Sequence, residues 1–194
     1  MEVLNPGVAG KRLAIVLVGL LSVIFMTGSG RSRVLLADKK AEFNVSQVEA
    51  VFIYNLLHFV EWPAEKENGD ITITIFGDRQ VAENLKLLVG DERSRNRRVK
   101  VVQCRRVADI GDCHILFVGA GKLREMPAVR RQVAGKPILL VGDRDGFLAA
   151  GGMVKLARLG NRITLAVNPS AARKVGLSFN SRLLRLARIV SISH

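Results

Sequence analysis

Two cysteines and an adjacent histidine are the residues whose chemistry stands out in this sequence. Cys104 and Cys113 are the only cysteines among 194 residues, and His114 follows Cys113 directly. A thiol beside an imidazole is typical of a cysteine nucleophile, but adjacent residues on a strand project to opposite faces and cannot pair with each other. The two cysteines and three histidines also lack the ligand spacing of a zinc site. We therefore predict no catalytic residue, no metal and no cofactor.

A disulfide is another use of the same two cysteines. Cys104 lies at the end of one predicted strand and Cys113 at the start of the next, which suggests a Cα separation within the roughly 4.4–6.8 Å that a bridge requires. An even cysteine count in an exported chain favours a bridge. The alternative is a pair of reduced, partly buried thiols, and the sequence leaves both open.

Three predicted strands end in glycine, which defines a candidate ligand crevice. Asp78 follows Gly77, a second small residue follows Gly119, and Asp143 follows Gly142. Ligands of open α/β sheets usually bind at the carboxyl ends of the strands. The simpler interpretation, which we favour, is that each glycine only lets its strand turn sharply into the next element.

The longest predicted helix opens the folded part of the chain. Residues 46–63 begin with a capping box between Ser46 and Glu49, and Pro63 disfavours helical geometry at Trp62. Its three- and four-residue spacing predicts a buried face. That face would consist of Val48, Val51, Phe52, Asn55, Leu56, Phe59 and Val60.

The next segments predict a mostly parallel sheet. Strands are expected at 71–76, 99–104, 115–118 and 138–141, with helices at 80–88 and 124–133. The pattern then changes, because strands at 153–159 and 162–167 flank Gly160-Asn161, a turn suited to a tight hairpin. Asn168 and Pro169 begin a short helix that Gly176 ends. The fold class is therefore α/β: a single-domain open sheet with a mostly parallel N-terminal half, a C-terminal antiparallel hairpin and helices on its faces.

Basic residues form two concentrated features in a chain of net charge +13. One is the segment DERSRNRRVK at 91–100. The other is a final helix from Ser181, predicted to bury Leu183, Leu184, Leu186, Ala187, Ile189 and Val190 and to expose Arg182, Arg185 and Arg188 along one stripe. Each is either an ordinary solvated surface or a contact that steers an acidic partner. One Trp and one Tyr are too few for the stacking platforms of single-strand binders, so we predict no nucleic-acid partner.

The first residues are typical of a secretory signal. Lys11 and Arg12 precede an apolar run from residue 13 to residue 26, which is shorter than the roughly 20 residues of a membrane-spanning helix. We predict export, with cleavage near residue 30 or residue 37. Cleavage after Ala37 removes four bases and one acid, which leaves a net charge of +10.

Four ordered blocks resemble one protein family. They are the helix ending in FVEWP, DCHILFVGA at 112–120, GFLAAGGMV at 146–154 with the following ITLAVNPSAA, and SRLLRLARIV at 181–190. Together they resemble the YfiR-like family of exported bacterial proteins. The resemblance implies one YfiR-like domain over residues 43–191, which follows the signal peptide that the first residues predict over residues 1–37.

The resemblance also implies a function. It indicates a periplasmic, non-catalytic regulator that represses or senses for an inner-membrane signalling protein, with a diguanylate cyclase as the particular candidate. An outer-membrane lipoprotein would capture this regulator, and a homodimer stays open. The alternative hypothesis is a periplasmic small-ligand-binding module whose pocket lies at Gly77, Asp78, Gly119, Gly142 and Asp143.

Overall fold

The fold is taken from a computed structural model, which describes residues 45–91, 93–159 and 162–192. The predicted signal peptide over residues 1–37 lies outside the described residues, and so does the Gly160-Asn161 turn. Within the described ranges, none of the helices combines the length and the apolar character that crossing a membrane requires.

The described residues form five α-helices and ten strands, joined by short 3-10 turns. The helices are α1 (Val45–Phe59), α2 (Arg79–Val89), α3 (Met126–Gln132), α4 (Pro169–Arg173) and α5 (Ser181–Leu186). The strands are β1 (Val60–Glu61), β2 (Ile71–Phe76), β3 (Arg93–Ser94), β4 (Arg97–Cys104), β5 (Ile115–Val118), β6 (Leu139–Gly142), β7 (Val154–Leu159), β8 (Arg162–Val167), β9 (Ser178–Phe179) and β10 (Arg188–Ile189).

Eight of the strands form one open sheet in the order β10-β8-β7-β6-β5-β2-β4-β3, and β1 pairs with β9 in a separate two-stranded sheet. The ladders from β4 through β2, β5 and β6 to β7 are parallel, whereas β7 and β8 are antiparallel. All residues of β5 and β6 are buried, which requires cover on both faces of the sheet. The predicted α/β fold class is therefore confirmed.

Helix α1 presents a different face to the core from the one predicted. Its buried residues are Glu49, Ala50, Ile53, Leu56 and Leu57, whereas Val51 is 43% exposed. The helix is apolar on several sides, so its periodicity alone could not select the face that packs on α2. Ser46 lies inside the helix, which begins at Val45 among the described residues, and the predicted capping box is wrong.

The C-terminal segment confirms one helix start and corrects its end. The Asn180 side chain caps α5 by accepting from the Leu183 N–H at 3.0 Å, but the helix ends at Leu186. The chain then extends as β10, parallel to β8. Leu186 is consequently 72% exposed and Ile189 55% exposed, so their predicted burial is wrong.

The predicted stripe of Arg182, Arg185 and Arg188 is wrong for the same reason. All three side chains are exposed, but Arg188 belongs to β10 and only the first two share a helix. Three arginines therefore do not form one helical surface.

Candidate functional site

The carboxyl ends of β2, β5 and β6 lie side by side, so the three glycine turns share one edge of the sheet. Phe76 of β2 pairs with Val118 of β5, and Val118 pairs with Gly142 of β6. The strand order reverses here, because the chain runs from β2 outward to β4 and then returns to β5 on the other side of β2. Such a reversal is where open α/β sheets usually hold a ligand.

Side chains of the protein itself occupy the space at these turns. A Cβ built on Gly77 would lie 2.2 Å from Cγ of Lys122, and one built on Gly142 would lie 2.7 Å from the Phe147 ring. A Cβ on Gly119 would come within 3.0 Å of the Asp78 side chain. Close packing and sharp turns thus account for the glycines, and the ligand crevice at this edge stays a prediction.

Three carboxyl groups gather at the same edge, and we call Glu49, Asp78 and Asp143 the acidic cluster. Asp78 caps α2, because its Oδ1 accepts from the Val81 N–H at 2.9 Å. Asp143 Oδ1 is buried without a hydrogen-bond partner. The cluster therefore contains one carboxylate with a structural role and one whose charge is poorly solvated.

The pKa values of the acidic cluster reflect this crowding. The pKa of Glu49 is raised to about 7, first by burial and then by the charges of Asp143 and Asp78, against which the charge of Arg158 lowers it. Burial also raises the pKa of Asp143, with Asp78 adding to the effect. In the described ranges, no three His, Cys, Asp or Glu side chains are arranged so that they could hold a metal ion. The cluster can therefore exchange a proton near neutral pH, and it does not have the geometry of a metal site.

A second polar group, which we call the amino-end cluster, lies at the start of β2 and β5. It consists of Trp62, Lys66, Asp112 and His114. The buried Lys66 ammonium donates to Asp112 Oδ1, with which it forms an ion pair, and to the Cys113 carbonyl at 3.3 Å. This contact fastens the segment after α1 to the DCHILFVGA block at the start of β5.

His114 completes the amino-end cluster as a neutral imidazole. Its Nδ1 accepts from the Thr72 N–H at 3.2 Å, and its Nε2 lies 3.0 Å from the Lys66 carbonyl. The Trp62 ring meets it edge-on at 5.8 Å between centroids. Burial lowers the pKa of His114. These contacts describe a packed structural histidine.

Both cysteines are free and buried, so the disulfide considered for Cys104 and Cys113 is not formed. The reason is topological, because β2 lies between β4 and β5. Two strand spacings amount to about 10 Å, which is too far for a bridge. Burial raises the pKa of Cys113 to about 11 and also raises that of Cys104. Protonated thiols are poor nucleophiles, so neither cysteine has the environment of a reactive one.

A groove lies beside the start of β6, away from the residues of both polar clusters, none of which lines it. It has a volume of about 520 Å³ and lies between α3, the start of β6 and α4. Val133, Ile138, Leu140, Met153 and Val175 are among its apolar lining residues. The charged side chains that line it are all basic: Arg130, Arg131, Lys136 and Lys174. Its chemistry suits an apolar molecule that carries negative charge.

The basic segment at 91–100 forms a hairpin that the sequence analysis missed. Arg93 of β3 pairs with Arg98 of β4, and the two turn residues, Arg95 and Asn96, have φ of 50° and 63°. Two left-handed residues are typical of a type I′ turn, which the sequence concealed because neither is glycine. The Arg95 guanidinium donates to the Val60 carbonyl at 3.1 Å and so fixes the turn.

The fold and the packed strand ends place this chain in the class of single-domain open α/β proteins. More specifically, the chain belongs to the YfiR/HmsC-like family, whose model matches residues 46–188. The family resemblance of the four sequence blocks is thereby confirmed. This family is regulatory, non-catalytic and periplasmic, and it acts with membrane signalling proteins in cyclic di-GMP signalling.

A likeness to a solved structure supports the fold alone. An ABC domain from Streptococcus pneumonia, solved in complex with L-Trp, aligns with a TM-score of 0.52 at 9% sequence identity. The alignment covers 75% of this chain and 60% of that structure, so the chain spans less than two thirds of its length.

Proposed function

We propose that this protein is a periplasmic, non-catalytic regulator that represses or senses for an inner-membrane diguanylate cyclase through protein–protein contact. The observation that carries the proposal is the family match over residues 46–188. The two polar clusters agree with it, because Asp78 caps a helix and Lys66 and His114 fasten the segment after α1 to the start of β5. Export by residues 1–37 and capture by an outer-membrane lipoprotein belong to the same proposal.

Such a regulator needs no reacting group. A protein that binds one conformation of a membrane enzyme more tightly than the other shifts the population toward that conformation. Shifting a balanced pair of states to 99:1 takes a preference of about 100-fold, since each tenfold ratio is about 1.4 kcal/mol. A protein surface of ordinary size can supply this difference.

Capture of the partner tests the proposal. The tagged, exported protein is purified from detergent-solubilised membranes, and the recovered proteins are identified by mass spectrometry. We expect a diguanylate cyclase with a periplasmic portion, enriched over a control in which residues 1–37 are deleted. Recovery of no membrane signalling protein would contradict the proposal.

The groove between α3 and α4 favours a second candidate, a module that binds a small ligand. Its volume of about 520 Å³ lies within the range of small-molecule sites, roughly 300–1,000 Å³. This location differs from the crevice at the glycine-ended strands, where Lys122 and Phe147 take up space.

Thermal shift separates the two candidates. A ligand at 100 times its Kd adds about 2.7 kcal/mol of stability, so a panel of anionic metabolites would raise the melting temperature of the wild-type protein. The variant Met153→Arg places a cation on the apolar lining and should remove that shift. A panel that leaves the melting temperature unchanged would eliminate the second candidate.

A further inference from the structure

The outer side of β4 lacks a partner strand along most of its length. Strand β3 pairs only with Arg97 and Arg98, and β4 continues to Cys104. From Lys100 to Cys104, no described residue pairs with this side. We call residues 100–104 the open edge.

The register of β2 shows which backbone groups of the open edge face outward. The Cys104 carbonyl accepts from the Gly77 N–H at 3.3 Å and so points toward the β2 side. The N–H and C=O of one strand residue point to the same side, and successive residues alternate. Val101 and Gln103 therefore direct their N–H and C=O groups away from β2. These two donors and two acceptors form a template for an added strand.

The charges around the open edge select its occupant. Residues 93–106 contain seven bases and no acid: Arg93, Arg95, Arg97, Arg98, Lys100, Arg105 and Arg106. Lys100 forms an ion pair with Asp70 at 2.7 Å and Arg106 one with Asp109 at 2.6 Å. Arg98 and Arg105 are exposed, and no described carboxylate lies in ion-pair contact with them. A second copy of this chain would bring the same bases opposite these, whereas an acidic strand would be attracted.

A depression at the end of the open edge offers room for a side chain. It has a volume of about 630 Å³ and is lined by Gln103, Cys104, Arg105, Arg106 and Asp109. Because Asp109 already pairs with Arg106, Arg105 is the cation there that can meet an incoming carboxylate.

We propose that the open edge binds an extended segment of a partner protein in which acidic and apolar residues alternate, by adding it as a strand beside β4. Backbone hydrogen bonds to Val101 and Gln103 would supply affinity, and the arginines would supply selectivity for acid. The identification of this segment with the regulated membrane protein rests on the proposed function. Binding of the segment itself does not.

A synthetic peptide tests the open edge without knowledge of the partner. The probe is an acetylated and amidated nine-residue peptide that alternates valine and glutamate and carries a fluorophore. N-methylation of every second residue blocks one of its edges and prevents it from pairing with itself. We expect saturable binding in fluorescence anisotropy, slower amide hydrogen exchange at Val101 and Gln103, and severalfold weaker binding when salt is raised. No binding at millimolar peptide would overturn the proposal.

Two control peptides separate strand addition from charge attraction. Full N-methylation removes the backbone donors, and replacement of glutamate by lysine reverses the charge. We expect each change to weaken binding at least tenfold. Equal binding by the fully methylated peptide would overturn strand addition.

Variants of the protein locate the contact. Gln103→Pro removes an outward N–H that the β2 ladder does not use, and we expect binding to fall at least tenfold with the melting temperature nearly unchanged. Arg98→Glu with Arg105→Glu should weaken binding by a similar factor. Arg182→Glu with Arg185→Glu is the matched charge change elsewhere and should alter binding less than twofold. Equal losses in both charge variants would overturn the assignment of the site.

Failure of this inference can be told apart from failure of the proposed function. If Gln103→Pro loses the peptide but still captures the membrane partner, then the open edge is not the regulatory contact and the function stands. If the wild-type protein binds the peptide but captures no signalling protein, then the open edge stands and the function fails.

Discussion

The two ends of the parallel strands differ in whether their buried charged groups have partners of opposite charge. At the amino ends, the buried Lys66 ammonium donates to a carboxylate and a carbonyl, and Nδ1 of the buried His114 accepts from a backbone N–H. At the carboxyl ends, the acidic cluster brings three carboxyl groups together, and burial with mutual repulsion raises the pKa values of Glu49 and Asp143. The amino ends are therefore stabilised by pairing, whereas the carboxyl ends hold together through packing that tolerates unfavourable charge.

The glycines at the carboxyl ends of the strands make room for closely packed side chains. Phe147 lies against both Gly142 and Gly152, so the GFLAAGGMV block closes the carboxyl ends. Among the described residues, neither end of the strands has three side chains arranged to hold a metal ion, and burial raises the pKa values of both cysteines. The proposed partner contact lies outside both ends, at the open edge.

Removal of the Phe147 ring should produce the largest effect at the carboxyl ends. Phe147 is 1% exposed and fills the space between two glycines, so Phe147→Ala leaves a cavity. We expect a loss of about 3–5 kcal/mol in the free energy of unfolding, measured with urea at pH 7. The control Val102→Ala, at a 43% exposed position, should cost less than about 0.5 kcal/mol. A loss below 1 kcal/mol for Phe147→Ala would show that packing does not hold this end.

Neutralising Glu49 should stabilise the protein above neutral pH. The folded pKa of Glu49 is raised from 4.5 to about 7, so the folded state holds a proton that the unfolded state has released between these values. Stability is therefore full below pH 4.5 and falls as pH rises through 7. Glu49→Gln should add up to about 3 kcal/mol at pH 8 and little at pH 4.5, as urea unfolding at both values can measure. Equal effects at the two pH values would contradict the raised pKa.

His114 should give the opposite pH dependence at the amino ends. Its folded pKa is lowered, so the unfolded state takes up a proton first as pH falls below about 6.5. Stability is present above that pH and is lost on acidification. In a Glu49→Gln background, His114→Gln should flatten the decline in the free energy of unfolding as pH falls below about 6.5, as urea unfolding at several pH values can measure. If the variant loses stability on acidification as steeply as the Glu49→Gln background does, then titratable groups other than His114 cause the loss.

Treatment with a disulfide reductant should change the stability of the protein least. Because β2 separates Cys104 from Cys113, the melting temperature should be the same with and without dithiothreitol. Alkylation in denaturant, followed by mass spectrometry, should label both cysteines without prior reduction. Labelling that appears only after reduction would establish the bridge.

The sequence predicted the elements well where the pattern is local. The bounds of β2, β5 and β8 agree with the expected strands, and Asn168 caps α4 as its position before Pro169 predicted. The resemblance of four ordered blocks identified the family. Each of these inferences depends on residues close together in the chain.

The sequence did not predict the contacts that depend on the order of strands in the sheet. Asp78 and Asp143 come together because β2 and β6 end at the same edge, and Cys104 and Cys113 are kept apart because β2 inserts between their strands. The last helix was predicted too long, since the apolar spacing after Ser181 fits a helix although Arg188 and Ile189 add to β8 as a strand. The open edge could not be predicted either, because it requires recognition of the β3-β4 hairpin, and the turn of this hairpin lacks glycine.

The cyclic di-GMP content of living cells tests the central claim, regulation by surface contact, most directly. In a strain that lacks this protein we expect cyclic di-GMP to rise, and the exported wild-type chain should lower it again. A chain without residues 1–37 should fail to do so, whereas the double variant Cys104→Ser, Cys113→Ser should succeed, because no thiol chemistry is involved. Unchanged cyclic di-GMP on deletion, or rescue by the chain without its first 37 residues, would contradict the account.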